Sequence, residues 1–530
     1  MTAIITNNFR FLNAECFKRD FASVSENRYL FIGKIKPWTN DTQPPLPLDS
    51  VEAEYRAWDD MLALKRIGDS TVSNVIPRIN WDATGETVYV PYDSTDVNLF
   101  NHPTPAEVSD GITNSYTPGN FYVMTDEYNV YKCIDNNNGA KSTVKPSGTG
   151  TAIFETLDGY KWKFMYQINS TELLKYFTND WMPVKVLDAN DGSFQWAVQQ
   201  AAVAGTIDFV KVTNQGAGYI FTNNDTAQSG TLNTITLGGS ADGTNDVYNG
   251  STIYITSGTG LGQVRQIVDY DGASKTATVA TNWLTIPDNT SVYEILPTIQ
   301  IAGNGSGAQA KAVVQANKIV KINMIAPGSG YTFASLSIIG GGGSGANAYP
   351  VLAPKGGHGS NAVKELGGFF VMLNVKLEYN EGLGDFPITN DYRRLGIIAN
   401  LRDSGNTLAT LSTYRATSKL TLSAAVGTFQ PDELIVAAAP NSPTGVVVEV
   451  TDLGGGNVEV HYYQDSTTGF VAFGSGQNVT GGTSGATATT SSVAGPEVLP
   501  RSGDMIYVEQ RRPIMRAPDQ LEDIKLIVEF

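Results

Sequence analysis

The stretch "SGDMIYVEQRRPIMRAPDQLEDIKLIVEF", residues 502 to 530, decides how the rest of the chain is read. Ile524, Leu526, Val528 and Phe530 occupy alternate positions, with Lys525 and Glu529 between them and Ile527 as the exception. A period of two sets one face of a strand against a core and the other toward solvent. Chain ends fray unless they are tied into a structure. The pattern therefore predicts that these residues complete a sheet whose other strands lie much earlier in the sequence.

A chain of 530 residues is long enough for several domains with ordinary cores. It carries 52 Asp and Glu against 36 Lys and Arg, a formal charge of −16. Phosphate neutralisation needs clustered cations, and the largest cluster is Arg511, Arg512 and Arg516, so no nucleic-acid partner is expected. Cys16 and Cys133 are too few for a disulfide framework or a multi-cysteine zinc site, and two free thiols in a reducing compartment are expected. The start "MTAIITNNFRFLNAECF" lacks the pattern of a leader, and no window reaches the ~18 apolar residues of a membrane span.

Helical signal is concentrated early. In "LDSVEAEYRAWDDMLALKRIGDS", Asp49 is placed to cap, Glu52 follows three residues on, and Val51, Tyr55, Trp58 and Leu62 recur at helical spacing. Lys65 and Arg66 suit the C-terminal end, with Gly68 as the stop. A second helix is expected over about Asn8 to Asp20, with Phe9, Leu12 and Cys16 on one face, and a short one over "STELLKYF". The remainder reads as strand and turn. "RYLFIGKIKPW" is a strand, "NFYVMTDEYNVYKCID" two strands joined by a turn, and "DGYKWKFMYQI" another with Trp162, Phe164 and Tyr166 on one face. Such an aromatic ladder serves as core, protein interface or sugar platform.

After Pro183 two copies of one β unit follow. "IDFVKVTNQGAGYIFT" (207–222) matches "IVKINMIAPGSGYTF" (319–333), and "PTIQIAGNGSGAQAKAVV" matches "LSIIGGGGSGANAYPVL". The first copy is interrupted by a run of short strands that includes residues 249 to 295. A further β-rich block spans 418 to 495. Between the Gly-rich blocks, residues 358 to 401 return to charged and aromatic sequence with a strand from Phe369 to Leu377.

No constellation selects a chemistry. "GGGGSGAN" and "GNGSGAQ" lack the Lys-Ser/Thr of a phosphate loop and precede strands, so turn or bulge glycines are expected. His102, His358 and His461 stand far apart without metal-ligand spacing; His358, flanked by glycines, reads as a loop-packing or interface residue. The adjacent acids Asp59/Asp60 and Glu522/Asp523 point different ways along a helix or strand and read as solvated charges. No catalytic residue, cofactor site or metal site is expected.

Five stretches in order carry a resemblance: "KPWTNDTQPPLPLDSV", "VIPRINW", "YKCIDNNNGAKSTVKPSGTGTAIFETLDGYKWKFMYQI", "NDYRRLGIIANL" and "RSGDMIYVEQRRPIMRAPDQLEDIKLIVEF". Together they resemble the baseplate wedge proteins encoded by gene eight of T-even-like contractile-tail bacteriophages, over about 1–182, 358–405 and 498–530. The last stretch is the most specific. The resemblance implies a non-enzymatic structural component of the virion tail baseplate, a homodimer that binds other wedge proteins and is assembled in the host cytoplasm. The Gly-rich blocks depart from that compact pattern.

The expected fold is mainly β with a few α-helices, multidomain, with a discontinuous β-sandwich-like core and inserted β modules. Its expected parts are a mixed α/β wedge core over 1–182, a Gly-rich β-repeat insertion over 183–357, core resumed over 358–417, a second β insertion over 418–495, and closing strands over 496–530. Interface candidates are Trp38, Trp58, Trp81, Tyr160, Trp162, Arg393, Arg394, Tyr507, Arg511 and Arg512, with core packing as the competing role of each Trp and solvated charge that of Arg511 and Arg512. An alternative reading is a receptor- or carbohydrate-binding virion protein that uses the Gly-rich modules, where Tyr219 and Tyr331 sit in the repeated Gly-x-Gly-Tyr turns. A polysaccharide-degrading enzyme is the third.

Overall fold

Strand Glu522–Glu529 runs antiparallel to Phe370–Leu377, with Ile524 opposite Val375 and Leu526 opposite Leu373. Ile524 and Leu526 are buried while Glu529 is exposed, which is the period-two pattern of the sequence made physical. Phe370–Leu377 pairs on its other side with Val72–Pro77, Phe370 facing Val75. These relations come from a computed structural model that describes residues 4–22, 26–100, 120–219, 224–377, 386–438, 440–516 and 521–530. The fold is mainly β, with many sheets and few helices. The chain forms two compact units, one from residues 1–75 and 369–530, the other from residues 76–368.

In the first unit, helix Asn7–Asp20 buries Phe11 and Ala14, and leaves Phe9 and Leu12 exposed, contrary to the face expected from the sequence. The reason is an aromatic platform: Phe11 packs at 5.7 Å on Phe369 and Phe17 at 5.1 Å on Phe530, so the stripe through 11, 14 and 17 turns inward. Helix Val51–Asp59 is capped by Ser50, whose hydroxyl accepts from Ala53 N at 3.2 Å, rather than by Asp49. It also stops early. The expected continuation, Met61–Arg66, is a strand between Arg28–Gly33 and Thr413–Arg415. Met61, Leu62, Ala63 and Leu64 are all buried, so two-faced burial in a sheet overrides a sequence equally good for helix. Gly33 permits the close approach of the two strands at their register shift, since a Cβ there would lie 2.8 Å from the Asp60 carbonyl oxygen.

The five-stranded sheet of this unit runs Thr413–Arg415, Met61–Arg66, Arg28–Gly33, Tyr392–Ala399, Asp504–Ile514. Residues 418–494 form a closed six-stranded barrel around Leu420, Leu422, Ile435, Val447, Val460 and Val479. Closure leaves that block without open sheet edges.

In the second unit a four-stranded sheet orders Tyr122–Met124, Asn129–Asp135, Lys161–Gln167 and Ile153–Glu155. The aromatic ladder does not share one face. Trp162 and Phe164 join Tyr89, Tyr131 and Tyr160 in one cluster, whereas Tyr166 packs with Met165, Val130 and Tyr122 in another. A register shift between Val130 and Tyr131 marks where strict alternation fails.

The repeated segments exchange strands. Ile207–Ala217 of the first copy pairs with Ser344–Leu352 of the second, and Lys318–Ser329 of the second pairs with Ser306–Gln315 of the first. Thr298–Gly303 and Ala334–Ile339 join the copies between them. Tyr219 lies over Gly343 of the opposite copy and Tyr331 over Gly305, and both rings are buried. The interrupting segment forms its own seven-stranded sheet over a core that includes Ile253, Ile267, Tyr293 and Trp283.

Asp93 holds the first of these strand pairs. Its Oδ2 accepts from Tyr349 Oη at 2.6 Å and Lys211 Nζ at 2.9 Å, and its Oδ1 from Thr95 N at 2.9 Å. Burial pushes this carboxyl up, but the donors from Tyr349, Thr95 and Lys211 outweigh it and hold the pKa at about 2. An unfolded Asp titrates near ~3.9, so the stabilisation is complete above that pH and is lost as pH falls toward 2. Urea midpoints of wild type and Asp93→Asn are expected to differ at neutral pH and converge near pH ~2. A constant difference across that range would refute the assignment.

Candidate interaction surfaces

Strand Asp504–Ile514 is the edge of the five-stranded sheet in the first unit, paired with Tyr392–Ala399 alone among the described residues. Residues 34–43 strap one end of it. Trp38 Nε1 donates to the Arg511 carbonyl at 2.9 Å, and Arg512 Nε donates to the Thr42 carbonyl at 3.0 Å. Arg393 grips the strap with a fork, Nε to Asp41 Oδ1 at 3.0 Å and Nη2 to Oδ2 at 2.9 Å, while Asp41 Oδ1 also accepts from Trp38 N. The hydrogen bond from Arg393 holds the Asp41 carboxyl below the usual carboxylate range. Arg394 lies 5.7 Å from the Trp38 ring and pairs with Asp60. Glu509 links the rest, accepting from Tyr507 Oη at 3.0 Å and from Arg511 Nε at 2.5 Å.

Six of the ten candidates, Trp38, Arg393, Arg394, Tyr507, Arg511 and Arg512, thus belong to one network around a sheet edge. Arg393 and Arg394 are buried, Trp38, Tyr507 and Arg511 half-buried, and Arg512 exposed. The other four lie elsewhere. Trp58 is buried in the core of the first unit with its indole N–H unpartnered. In the second unit Tyr160 and Trp162 are fully buried and stacked at 5.4 Å, and half-buried Trp81 donates to Ser142 Oγ at 3.2 Å.

Sequence reasoning missed the acids that organise this network. Asp60 is half-buried and paired rather than solvated; desolvation raises its pKa to about 6 against the opposing pull of Arg394 and Lys34. Apart from this network, Glu522 is also buried, its carboxylate held by Arg516 Nε at 2.8 and 3.0 Å from only six residues away. Strand pairing across more than three hundred residues is what brings Asp60 to Arg394. A local signal did exist for one exposed strip: in "PPLPLDSVEAEY" the prolines exclude regular pairing, and Leu46, Leu48, Val51 and Tyr55 remain exposed.

His358 is buried edge-on against Tyr92 at 5.3 Å, 3.7 Å from Asp208, and burial pushes its pKa well below the ordinary value, with Lys132 and Lys163 adding to the effect. His461 contacts Glu459 at 3.1 Å, and its pKa is lowered to about 4 by burial and then by Arg415. His102 lies outside the described residues. Cys16 and Cys133 are both free thiols. Among the described residues no group of three or more His, Cys, Asp or Glu is placed to hold a metal ion, and no helix is long and apolar enough to cross a membrane.

These features define a mainly β, multidomain protein whose clustered charges fasten strands and straps to one another. No family model matches the chain. Over 215 residues, 34% of its length, the chain is 24% identical to "Baseplate wedge protein gp8" of Enterobacteria phage T4. The match spans 60% of that relative.

Proposed function

We propose that this chain is a structural component of a phage tail baseplate wedge, a dimeric scaffold that binds neighbouring wedge proteins and is assembled in the host cytoplasm into the virion. The similarity to the wedge protein of phage T4 carries this reading. The sheet edge supports it. An edge strand presents unpaired backbone groups that another chain can extend. Here the strap covers the end near Arg511, while the other end carries Ile506, which is 44% exposed. A two-fold contact would use this patch twice, leaving the exposed strip at Leu46 and Leu48 for other subunits.

Wild-type protein is expected to sediment as a dimer at micromolar concentration, and Ile506→Lys as a monomer with unchanged secondary structure. A wild-type monomer would refute the dimer. A dimer indifferent to Ile506→Lys would move the interface off this edge. Density for the chain in an electron-microscopy map of an intact tail tests the baseplate location itself. The alternative of a glycan surface on the Gly-rich modules loses its two motivating residues, because Tyr219 and Tyr331 are buried against glycines.

A further inference from the structure

The second unit contains an open groove of about 570 Å³ whose walls include Arg78, Asn80, Trp81, Asp126, Tyr128 and Lys145. That volume falls within the ~300–1,000 Å³ typical of small-ligand sites. None of these residues belongs to the Gly-rich modules or to the edge-strand network.

Each wall is fixed by specific contacts, some to residues behind the groove and some between its own walls. The Trp81 indole donates to Ser142 Oγ, which sets the plane of a half-buried ring. Arg78 lies 4.4 Å from the Phe177 ring and donates to the Thr178 carbonyl at 3.0 Å and to Asn80 Oδ1 at 2.9 Å. Tyr128 packs edge-on against the same Phe177 at 5.7 Å. Lys145 is clasped by Asp126 at 2.7 Å and Glu127 at 2.6 Å.

Tyr128 is the unexpected member. Its φ is +60°, a left-handed conformation that a bulky aromatic residue rarely adopts and that glycine adopts freely. The turn forces it: Tyr128 N donates to the Thr125 carbonyl at 3.0 Å, and Ile168 N donates to the Tyr128 carbonyl at 3.0 Å. Yet the residue is 39% exposed, so core burial does not compensate for the strain. A strained residue kept at a concave surface is a pointer to binding.

The chemistry selects the ligand. Of the two cations in the lining, Lys145 is already paired with Asp126 and with Glu127 behind it, which leaves Arg78 alone to attract an anion, so the groove does not favour a polyanion. Two aromatic side chains and the amide and guanidinium heads of Asn80 and Arg78 suit a ligand with apolar ring faces and many neutral hydroxyls. A peptide strand would need open backbone groups, but Trp81 N is paired with the Met124 carbonyl at 2.8 Å and Met124 N with the Ile79 carbonyl at 2.7 Å. We infer that this groove is a binding site for a neutral oligosaccharide, with Trp81 and Tyr128 as stacking platforms.

The test titrates full-length protein with maltoheptaose, chitotetraose and cellotetraose by calorimetry and ligand-observed NMR, beside heparin and a proline-rich peptide as controls. At least one neutral oligosaccharide is expected to bind. Tyr128→Gly suits the left-handed backbone, so it is expected to keep or raise the thermal midpoint while weakening that binding about tenfold, and Trp81→Ala should weaken it similarly. Absence of binding at millimolar sugar, binding untouched by both substitutions, or a preference for heparin or the peptide would overturn the inference. Dimerisation is measured separately, so failure here leaves the baseplate reading standing.

Discussion

Glu365→Ala is expected to cost the second unit about 3–5 kcal/mol, because it strands a buried ammonium. Lys132 and Glu365 form an ion pair whose side chains are 0% and 2% exposed. The carboxylate also accepts from Gly359 N at 2.9 Å and Asn361 N at 3.0 Å, so it holds the turn that carries His358. Removing it leaves Lys132 beside Lys163 with its principal counter-charge gone and two backbone donors unpaired. Burial already pulls both lysine pKa values down. Glu365→Gln should lose less, since the amide oxygen still accepts from the turn. A Lys132→Met, Glu365→Leu double variant should recover much of the loss, because apolar residues of similar volume avoid desolvating two charges. Urea unfolding measures all three. A single Glu365→Ala variant within about 1 kcal/mol of wild type would refute the argument.

Gly216→Ala and Gly328→Ala are expected to destabilise by about 2–5 kcal/mol each, and by nearly equal amounts, combining left-handed strain with overpacking. Their φ values are +64° and +62°. A methyl on Gly216 would sit 2.5 Å from Ala346 N and 2.6 Å from Ser344 O; one on Gly328 would sit 2.5 Å from Ala308 N and 2.6 Å from Ser306 O. The obstacles are backbone atoms in paired strands, which cannot swing aside as a side chain would. Matching environments follow from the strand exchange between copies. Thermal or urea denaturation in which either substitution is tolerated, or in which the two differ severalfold, would contradict that equivalence.

Much of the strand content was legible because strand signals are local. Alternation located 522–529, dense aromatic and β-branched runs broken by turns located the strands near 122–135 and 161–167, which are buried on both faces, and the likeness of two segments to two later ones located the copies of the repeat. The helix that gives way to strand at Met61 was not legible, since MLALKR satisfies either period until its two neighbouring strands are known. Nor could repetition reveal that each copy pairs with strands of the other. The candidate residues divide for the same reason. Trp58 and Trp162 are buried, whereas Trp38 becomes part of an edge strap only through Asp41, Arg393 and Arg511, partners scattered across the chain. Lys132 and Glu365 gave no sign at all, because a charged residue buried against a distant partner looks like any surface charge in one dimension.

The crossed pairing of the Gly-rich copies also governs the order of events at the ribosome. Ile207–Ala217 emerges early but finds its mate only when Ser344–Leu352 has been made, after the entire seven-stranded sheet has left the exit tunnel. That intervening sheet has a core of its own and is able to fold while its host waits. Its compaction draws residues 224 and 296 together, shortening the loop that the late pairing must close and so lowering the entropy lost when the crossed strands finally meet.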